Sequence, residues 1–555
     1  MKKKKTIFGI LFFCSMAMLA YAQQHDRSVG IDQASTVSEL KFKHQSLYAD
    51  FADNHLCDRL EQYLMFSKNV QHLFGVNVQS QLVNRFDEVP DSYFFTNRNE
   101  RRAMSLAEIT KGADVNTGPD VSKKWVVTKG KSAGRTPGFF ITDSRGDKYL
   151  IKLDRKDYPE MLSSCEAITS KFFHAIGYNV PQYTPCFFKP DIITVADDTL
   201  FYDSDGFKRK LTREKLLAML AEQAYRTKDG SYRASASKFL EGVPKGYFSF
   251  RSHRKLDIND PVPHEHRREV RALRVFSSWF NHHDIRRGNT LDMLVEENSK
   301  WYMKHYLIDF GSALGSHNMY YKYAAAGHTY VISLGEVFKS WLSLGLYKRP
   351  YYVDVKPFSP AVGYITSEHF YPGKWRPMIP NFAFDNMTKR DAYWAAKIVM
   401  SFTDAQIDAL VKTGQLSSDR DEAYLAKVIR ERRDAIGRYW FSVINPLDNF
   451  VLTKKEKQYM FSFENLYKKY KFADTDERLR YVVKVNTASP SGKRGKYKGT
   501  IKADNECITI PADYLTAGDQ YVLVIKTYGP YRSWRKPVSV FVDEGLRIAG
   551  VDRKE

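Results

Sequence analysis

Asn281-His282-His283-Asp284-Ile285-Arg286-Arg287-Gly288-Asn289, followed by Tyr306-Leu307-Ile308 and Asp309-Phe310-Gly311, is the stretch whose reading decides the fold. It places two carboxylates and a carboxamide on two loops, the second behind a short apolar strand. Such oxygens suit a hard divalent cation, which takes few protein ligands when substrate phosphates complete its shell. Asp and Asn also favour turns, so residue type alone leaves a capped turn as the other reading of Asp284 and Asn289.

Upstream, Glu265 to Phe280 has helical apolar spacing through Val270, Leu273, Phe276 and Trp279, and delivers the chain to Asp284. Before it lies a β-rich segment. Lys124 to Thr128, Gly138 to Thr142 and Lys148 to Leu153 read as strands, the last two joined by the turn Asp143-Ser144-Arg145-Gly146-Asp147. Gly130-Lys131-Ser132-Ala133-Gly134 links the first two. Gly130 and Gly134 would let backbone amides approach a phosphate, although the spacing is irregular and also fits a solvated turn. Lys152 sits in the third strand. A helix from about Pro159 to Ile176 carries Glu166, with Glu160 as another candidate partner for the lysine. Gln182 to Phe188 and a segment around Ser235 to Leu240 read as further strands, with a charged helix from Thr212 to Tyr225 between them.

Downstream, helices are expected over Lys389 to Ser401, Thr403 to Val411 and Glu422 to Trp440, the second opening on the capping box Thr403-Asp404-Ala405-Gln406. A lysine-rich stretch around Lys454 to Lys471 closes this helical part. Five short runs follow, from Leu479 to Val542, separated by Gly, Pro, Ser and Asp turns in the manner of a small β-sandwich.

The ordered set Lys152, Glu166, His-x-Asp-x-x-x-x-Asn and Asp-Phe-Gly resembles the protein-kinase-like superfamily, in particular its atypical bacterial and secretory-pathway members. The resemblance spans about 121–450. It implies an α+β fold: a bilobal kinase-like core with a helical N-terminal leader and a C-terminal β-sandwich. It implies that Asp284 accepts the proton of an attacking hydroxyl, and that Arg286 neutralises the transferred phosphoryl group. Asn289 and Asp309 would hold the metal, and Lys152, paired with Glu166, would hold the nucleotide phosphates. Phe310 would pack against the helix carrying Glu166. The implied cofactor is ATP or another nucleotide with Mg²⁺ or Mn²⁺, and the acceptor is a hydroxyl of a protein, sugar or lipid. No Ala-Pro-Glu follows Asp309; an aromatic stretch, Tyr320-Tyr321-Lys322-Tyr323, stands there instead. A kinase-shaped binding or scaffold protein of the cell envelope is therefore the alternative.

The N-terminus reads as a secretory signal: Lys2 to Lys5, an apolar run from Ile7 to Leu19, and Ala20-Tyr21-Ala22 before the cut, with an uncleaved anchor as the other reading. The expected division is signal 1–22, leader 23–120 with helical spacing over Leu56 to Phe74, small lobe 121–245, large lobe 246–472 and β-sandwich 473–555. An exported protein, periplasmic, surface-bound or secreted, follows, with no transmembrane segment after signal removal. The net charge of +21 stays strongly positive without the four signal lysines. It favours acidic partners such as nucleotides or an anionic envelope polymer, and no compact basic block suggests specific nucleic-acid binding. The remaining cysteines, 57, 165, 186 and 507, lack metal-binding spacing; Cys165 and Cys186 could pair or remain buried thiols. His264, His266, His282 and His283 fit no standard metal site. Tyr528, Tyr531 and Trp534, interleaved with arginines, read either as a recognition edge or as packing.

Overall fold

The computed structural model describes residues 78–555, apart from 132–135, 203–206, 258, 350, 352, 457, 474–477 and 490, together with 42, 43, 52, 53 and 57. The expected signal, nearly all of the segment from Leu56 to Phe74, and Gly134 lie outside the described residues. The fold mixes helices and sheets. Among the described residues, the first helix with defined bounds, α1 (Leu106–Lys111), opens on a capping box in which Ser105 and Glu108 satisfy each other's backbone amides.

A six-stranded sheet follows. Its strands are β1 (Trp125–Gly130), β2 (Gly138–Thr142), β3 (Lys148–Leu153), β4 (Tyr183–Phe188), β5 (Ile193–Val195) and, after a short hairpin of β6 (Leu200–Tyr202) and β7 (Lys208–Lys210), β8 (Tyr232–Lys238). The order is β4-β8-β3-β2-β1-β5, antiparallel except for β1 with β5. The β2–β3 turn closes because the Asp143 carboxylate accepts from the amides of Arg145 (2.9 Å) and Asp147 (3.0 Å). Two helices flank the sheet. Helix α2 (Met161–Ile176), buried along almost its whole length, packs on β4 and β8. Helix α3 (Arg213–Gln223) adds Leu216 and Leu220 to a core of Trp125, Phe139 and Ile151.

Beyond a short strand β9 (Val243–Pro244), helix α4 (Arg268–Trp279) leads to an antiparallel hairpin of β10 (Thr290–Glu297) and β11 (Lys300–Leu307). A second, smaller hairpin joins β12 (Ser316–His317) to β13 (Tyr320–Tyr321). Helices α5 (Leu334–Leu342), α6 (Phe382–Asp385), α7 (Lys389–Met400), α8 (Asp404–Lys412) and α9 (Asp419–Ser442) complete this part. Thr388 with Asp391, and Thr403 with Gln406, form capping boxes at α7 and α8. Arg233 on β8 fastens the first sheet to the helices. Its guanidinium lies 3.3 Å from Asp154 and donates to the carbonyls of Gly414 and Gln415, both at 2.6 Å.

The C-terminal strands are β14 (Leu447–Lys455), β15 (Gln458–Asn465), then, after helix α10 (Leu466–Lys469), β16 (Arg480–Ala488), β17 (Arg494–Ala503), β18 (Cys507–Pro511), β19 (Gln520–Tyr528), β20 (Val538–Val542) and β21 (Ile548–Arg553). They form two sheets, β14-β15-β18 and β17-β16-β19-β20-β21. Two differences from expectation stand out. The lysine-rich stretch is a hairpin, because Tyr459, Phe461 and Phe463 alternate inward while Met460, Ser462 and Glu464 on the other face are only half-buried. The three-stranded sheet therefore crosses the expected boundary near 472. The chain also has one continuous apolar core from α2 through α9 to β20, with Trp534 buried and its indole N–H donating to the Phe441 carbonyl at 2.8 Å. This removes Trp534 from any recognition edge. Tyr528 and Tyr531 stay half-buried.

Candidate active site

Lys152, on β3, faces α2 and the end of β11. Its ammonium lies 2.6 Å from Glu166 Oε1 and 2.9 Å from Asp309 Oδ1. The Ser235 hydroxyl, on β8, donates to the other Glu166 oxygen at 2.6 Å. Lys152 and Glu166 are buried, whereas the Asp309 side chain is 38% exposed. Burial opposes the lysine's charge, but Asp309 and Glu166 outweigh it and hold its pKa above the ordinary value. Burial raises Glu166, whereas Lys152 overcomes burial at Asp309 and holds that carboxyl low. Glu160, the other candidate partner, is engaged elsewhere: it accepts from the Ser417 amide at 2.8 Å.

The two loops quoted at the outset are adjacent because β10 and β11 are paired. Thr290 stands opposite Leu307, and the Ile308 amide donates to the Asn289 carbonyl at 3.0 Å. The Asn289 carboxamide donates to the Asp284 main-chain carbonyl at 2.7 Å, which curls the loop and leaves its oxygen as the acceptor end. Asp309 has φ 61°, and its amide donates to the Tyr183 hydroxyl at 2.9 Å. Gly311 is required by close approach, since a Cβ there would meet Asn318 Oδ1 at 2.4 Å and Leu162 Cδ1 at 2.7 Å. Phe310 is fully buried and packs against Phe173 of α2, Tyr183 and His282.

Asp284 is buried, which raises its pKa, opposed by Arg286, whose Nε donates to it at 3.0 Å. The Arg286 Nη1 atom is buried and has no acceptor among the described residues. Gly130 ends β1, where Phe201 Cβ stands 2.4 Å from the place its own Cβ would take, so packing against β6 accounts for this glycine. Of the expected set, Lys152, Glu166 and Asp309 touch directly, and Asp284, Arg286 and Asn289 adjoin them through the hairpin.

Two lysines join the site without a motif to announce them. Lys131, half-buried at the start of the glycine-rich stretch, donates to the Thr136 carbonyl at 2.9 Å. Burial, followed by the field of Lys152, brings its pKa down to about 8. Lys322 is fully buried behind Asp284. It donates to the carbonyls of Ser312 (2.7 Å) and Ser316 (2.8 Å) and lies 2.9 Å from His283 Nδ1. Burial brings its pKa down to about 7. Position in the aromatic stretch was its only sequence signal.

The histidines have other partners. His264 Nε2 lies 2.8 Å from Asp260, and His266 Nδ1 lies 3.0 Å from Arg271. Among the described residues, no group of three or more His, Cys, Asp or Glu is arranged to hold a metal alone. Cys165 and Cys186 are buried free thiols, the former donating to the Phe310 and Ala313 carbonyls. No helix among the described residues is long and apolar enough to cross a membrane.

No family model matches the chain, and no curated protein does. Among solved structures it is similar to the Helicobacter pylori proinflammatory kinase CtkA, at 10% identity and TM-score 0.30 over 59% of this chain and 98% of that one. It is also similar to a Golgi casein kinase. The form with Mn and ADP bound shows 11% identity and TM-score 0.29, over 62% of this chain and 79% of that one. A second structure of that kinase shows 11% and 0.29 over 74% and 88%.

Proposed function

We propose that the chain is an exported, bilobal, kinase-like phosphotransferase that moves the γ-phosphoryl group of ATP or another nucleotide to a hydroxyl acceptor. The observation that carries this is the direct contact of Lys152 with both Glu166 and Asp309, beside the loop of Asp284, Arg286 and Asn289. A scaffold role alone would not require these positions to converge.

The donor set fits a hard divalent cation: the Asn289 carboxamide oxygen and the Asp309 carboxylate are both oxygen ligands on adjoining loops. When bound there, Mg²⁺ or Mn²⁺ would supply positive charge beside the phosphate oxygens. The Arg286 Nη1, which has no acceptor among the described residues, fits a further phosphate oxygen. Lys152 would hold the nucleotide phosphates, and Lys131 lies close enough to contribute.

In the transfer the acceptor oxygen forms a bond to the γ-phosphorus. The bond from that phosphorus to the bridging oxygen breaks, and the nucleoside diphosphate leaves with the electron pair. Asp284 takes the hydroxyl proton, a role helped by the burial that raises its pKa. Most of the rate would come from positioning and charge neutralisation.

Envelope extract incubated with γ-labelled ATP and the protein tests this. Label should enter an acceptor with the wild type and be lost by at least about a hundredfold with Asp284→Ala. Equal labelling by both proteins would refute the assignment.

A further inference from the structure

The described residues within 331–353 form an excursion between the β12–β13 hairpin and the helices that follow. They hold the densest run of exposed large apolar side chains among the described residues. In α5 the apolar positions 337, 338, 341 and 342 have the spacing of one helix face. Phe338 is 57% exposed, Trp341 69% and Leu342 62%; in the turn beyond, Leu344 and Leu346 reach 91% and 85%. Together they present on the order of several hundred Å² of apolar surface, more than scattered surface residues account for.

The charges around this face are mainly positive: Lys339, Lys348, Arg349 and Lys356 outnumber Glu336 and Asp354. Glu336 is already neutralised, with the Tyr347 hydroxyl at 2.6 Å and Lys339 at 3.1 Å. At the base of the excursion the Arg376 guanidinium lies over the Tyr330 ring at 5.1 Å. An exposed face of Trp, Phe and Leu rimmed by cations matches the interface of an anionic bilayer. A second copy matches it poorly, because the chain's charge of +21 would oppose the same rim on a partner.

We propose that residues 331–353 are a membrane-docking element, laying α5 and the turn after it into the surface of an anionic bilayer. The excursion is tied to the candidate active site by two backbone hydrogen bonds. Val331 donates to the Met378 carbonyl at 2.9 Å, and Met378 donates to the His283 carbonyl at 2.7 Å. Docking would thus hold the Asp284 loop near the membrane surface. The proposal stands independently of whether the cleft transfers phosphate.

Hydrogen–deuterium exchange of the full chain, with and without vesicles, tests it. Vesicles of phosphatidylglycerol and phosphatidylethanolamine should protect residues 331–353, and phosphatidylcholine vesicles much less. The combined variant Phe338→Ser, Trp341→Ser, Leu344→Ser should lose that protection, with apparent vesicle affinity at this segment falling by more than about tenfold. Lys339→Glu with Lys348→Glu should weaken it and reduce its salt dependence. Unchanged exchange over 331–353 on anionic vesicles would overturn the proposal, even if the chain floats with them through its apolar N-terminal run. So would protection that grows with protein concentration in the absence of lipid, which would make the occupant a second copy.

Discussion

Lys152 stabilises two carboxylates at once, so its loss is felt in the fold as well as in the chemistry. Lys152→Met leaves Glu166 buried with only Ser235 as a side-chain partner. Removing one member of a buried pair costs about 3–5 kcal/mol, and denaturant unfolding at neutral pH should show a loss of that order. The variant's Glu166 then has a folded pKa above its unfolded one. Stability is therefore present below the unfolded pKa and lost as pH rises through the folded one, so the deficit should narrow on acidification. Lys322 titrates in the opposite sense. Its pKa of about 7 lies below the ordinary lysine value, so the unfolded chain binds the extra proton between pH 7 and about 10. Its contribution to stability therefore rises with pH across that window, and Lys322→Met should flatten the slope in thermal melts. Lys152, Glu166, Asp284, Asn289 and Asp309 were legible because their order and spacing form a motif. Lys131 and Lys322 were not, because burial and neighbours from distant segments create their roles.

At the scale of elements, β2 and β3 were legible to the residue, since alternation and the Asp143 turn specify them locally. The hairpin of β10 and β11 was only half visible: its last residues read as a strand, but Glu296, Glu297 and Lys300 obscured the rest. Helix α5 was missed beneath the aromatic and turn residues around it. The helices are braced by buried charge. Arg432 of α9 donates to the carbonyls of Ser278 (2.6 Å) and Trp279 (2.8 Å) at the end of α4, and to Thr366 (2.7 Å). A cation there complements the helix C-terminus. It also fixes the exit toward Asp284. Arg432→Met should lower turnover with little change in nucleotide affinity, a split between kcat and KM that steady-state kinetics will read.

Across the whole molecule, Asp87 joins the segment before the first sheet to the helices and to the last strand. Arg268 and Arg390 each lie 2.8 Å from it, and Arg553 lies 3.5 Å away. Burial would raise its pKa, but these guanidiniums bring it down to about 2. The resulting stability, about 2 kcal/mol, is present above the unfolded value and is lost as pH falls from near 4 toward 2; Asp87→Asn should remove that acid-sensitive part. Arg553 also lies 3.0 Å from Asp448. A chain ended near 472 would lose Arg553, the β18 partner of β15 and buried Trp534, and should be insoluble or strongly destabilised. That outcome would make the C-terminal strands a brace, where local sequence pattern suggests a separable unit; contacts between distant segments leave no mark in a local pattern. Calorimetric titration of ATP with Mg²⁺ tests the candidate active site most directly. The wild type should bind in a metal-dependent manner, Asp284→Ala should bind nearly as well, and Asp309→Ala should lose the metal dependence. No binding by the wild type at millimolar metal, or equal binding by Asp309→Ala, would contradict a phosphotransferase site at Lys152, Asp284 and Asp309.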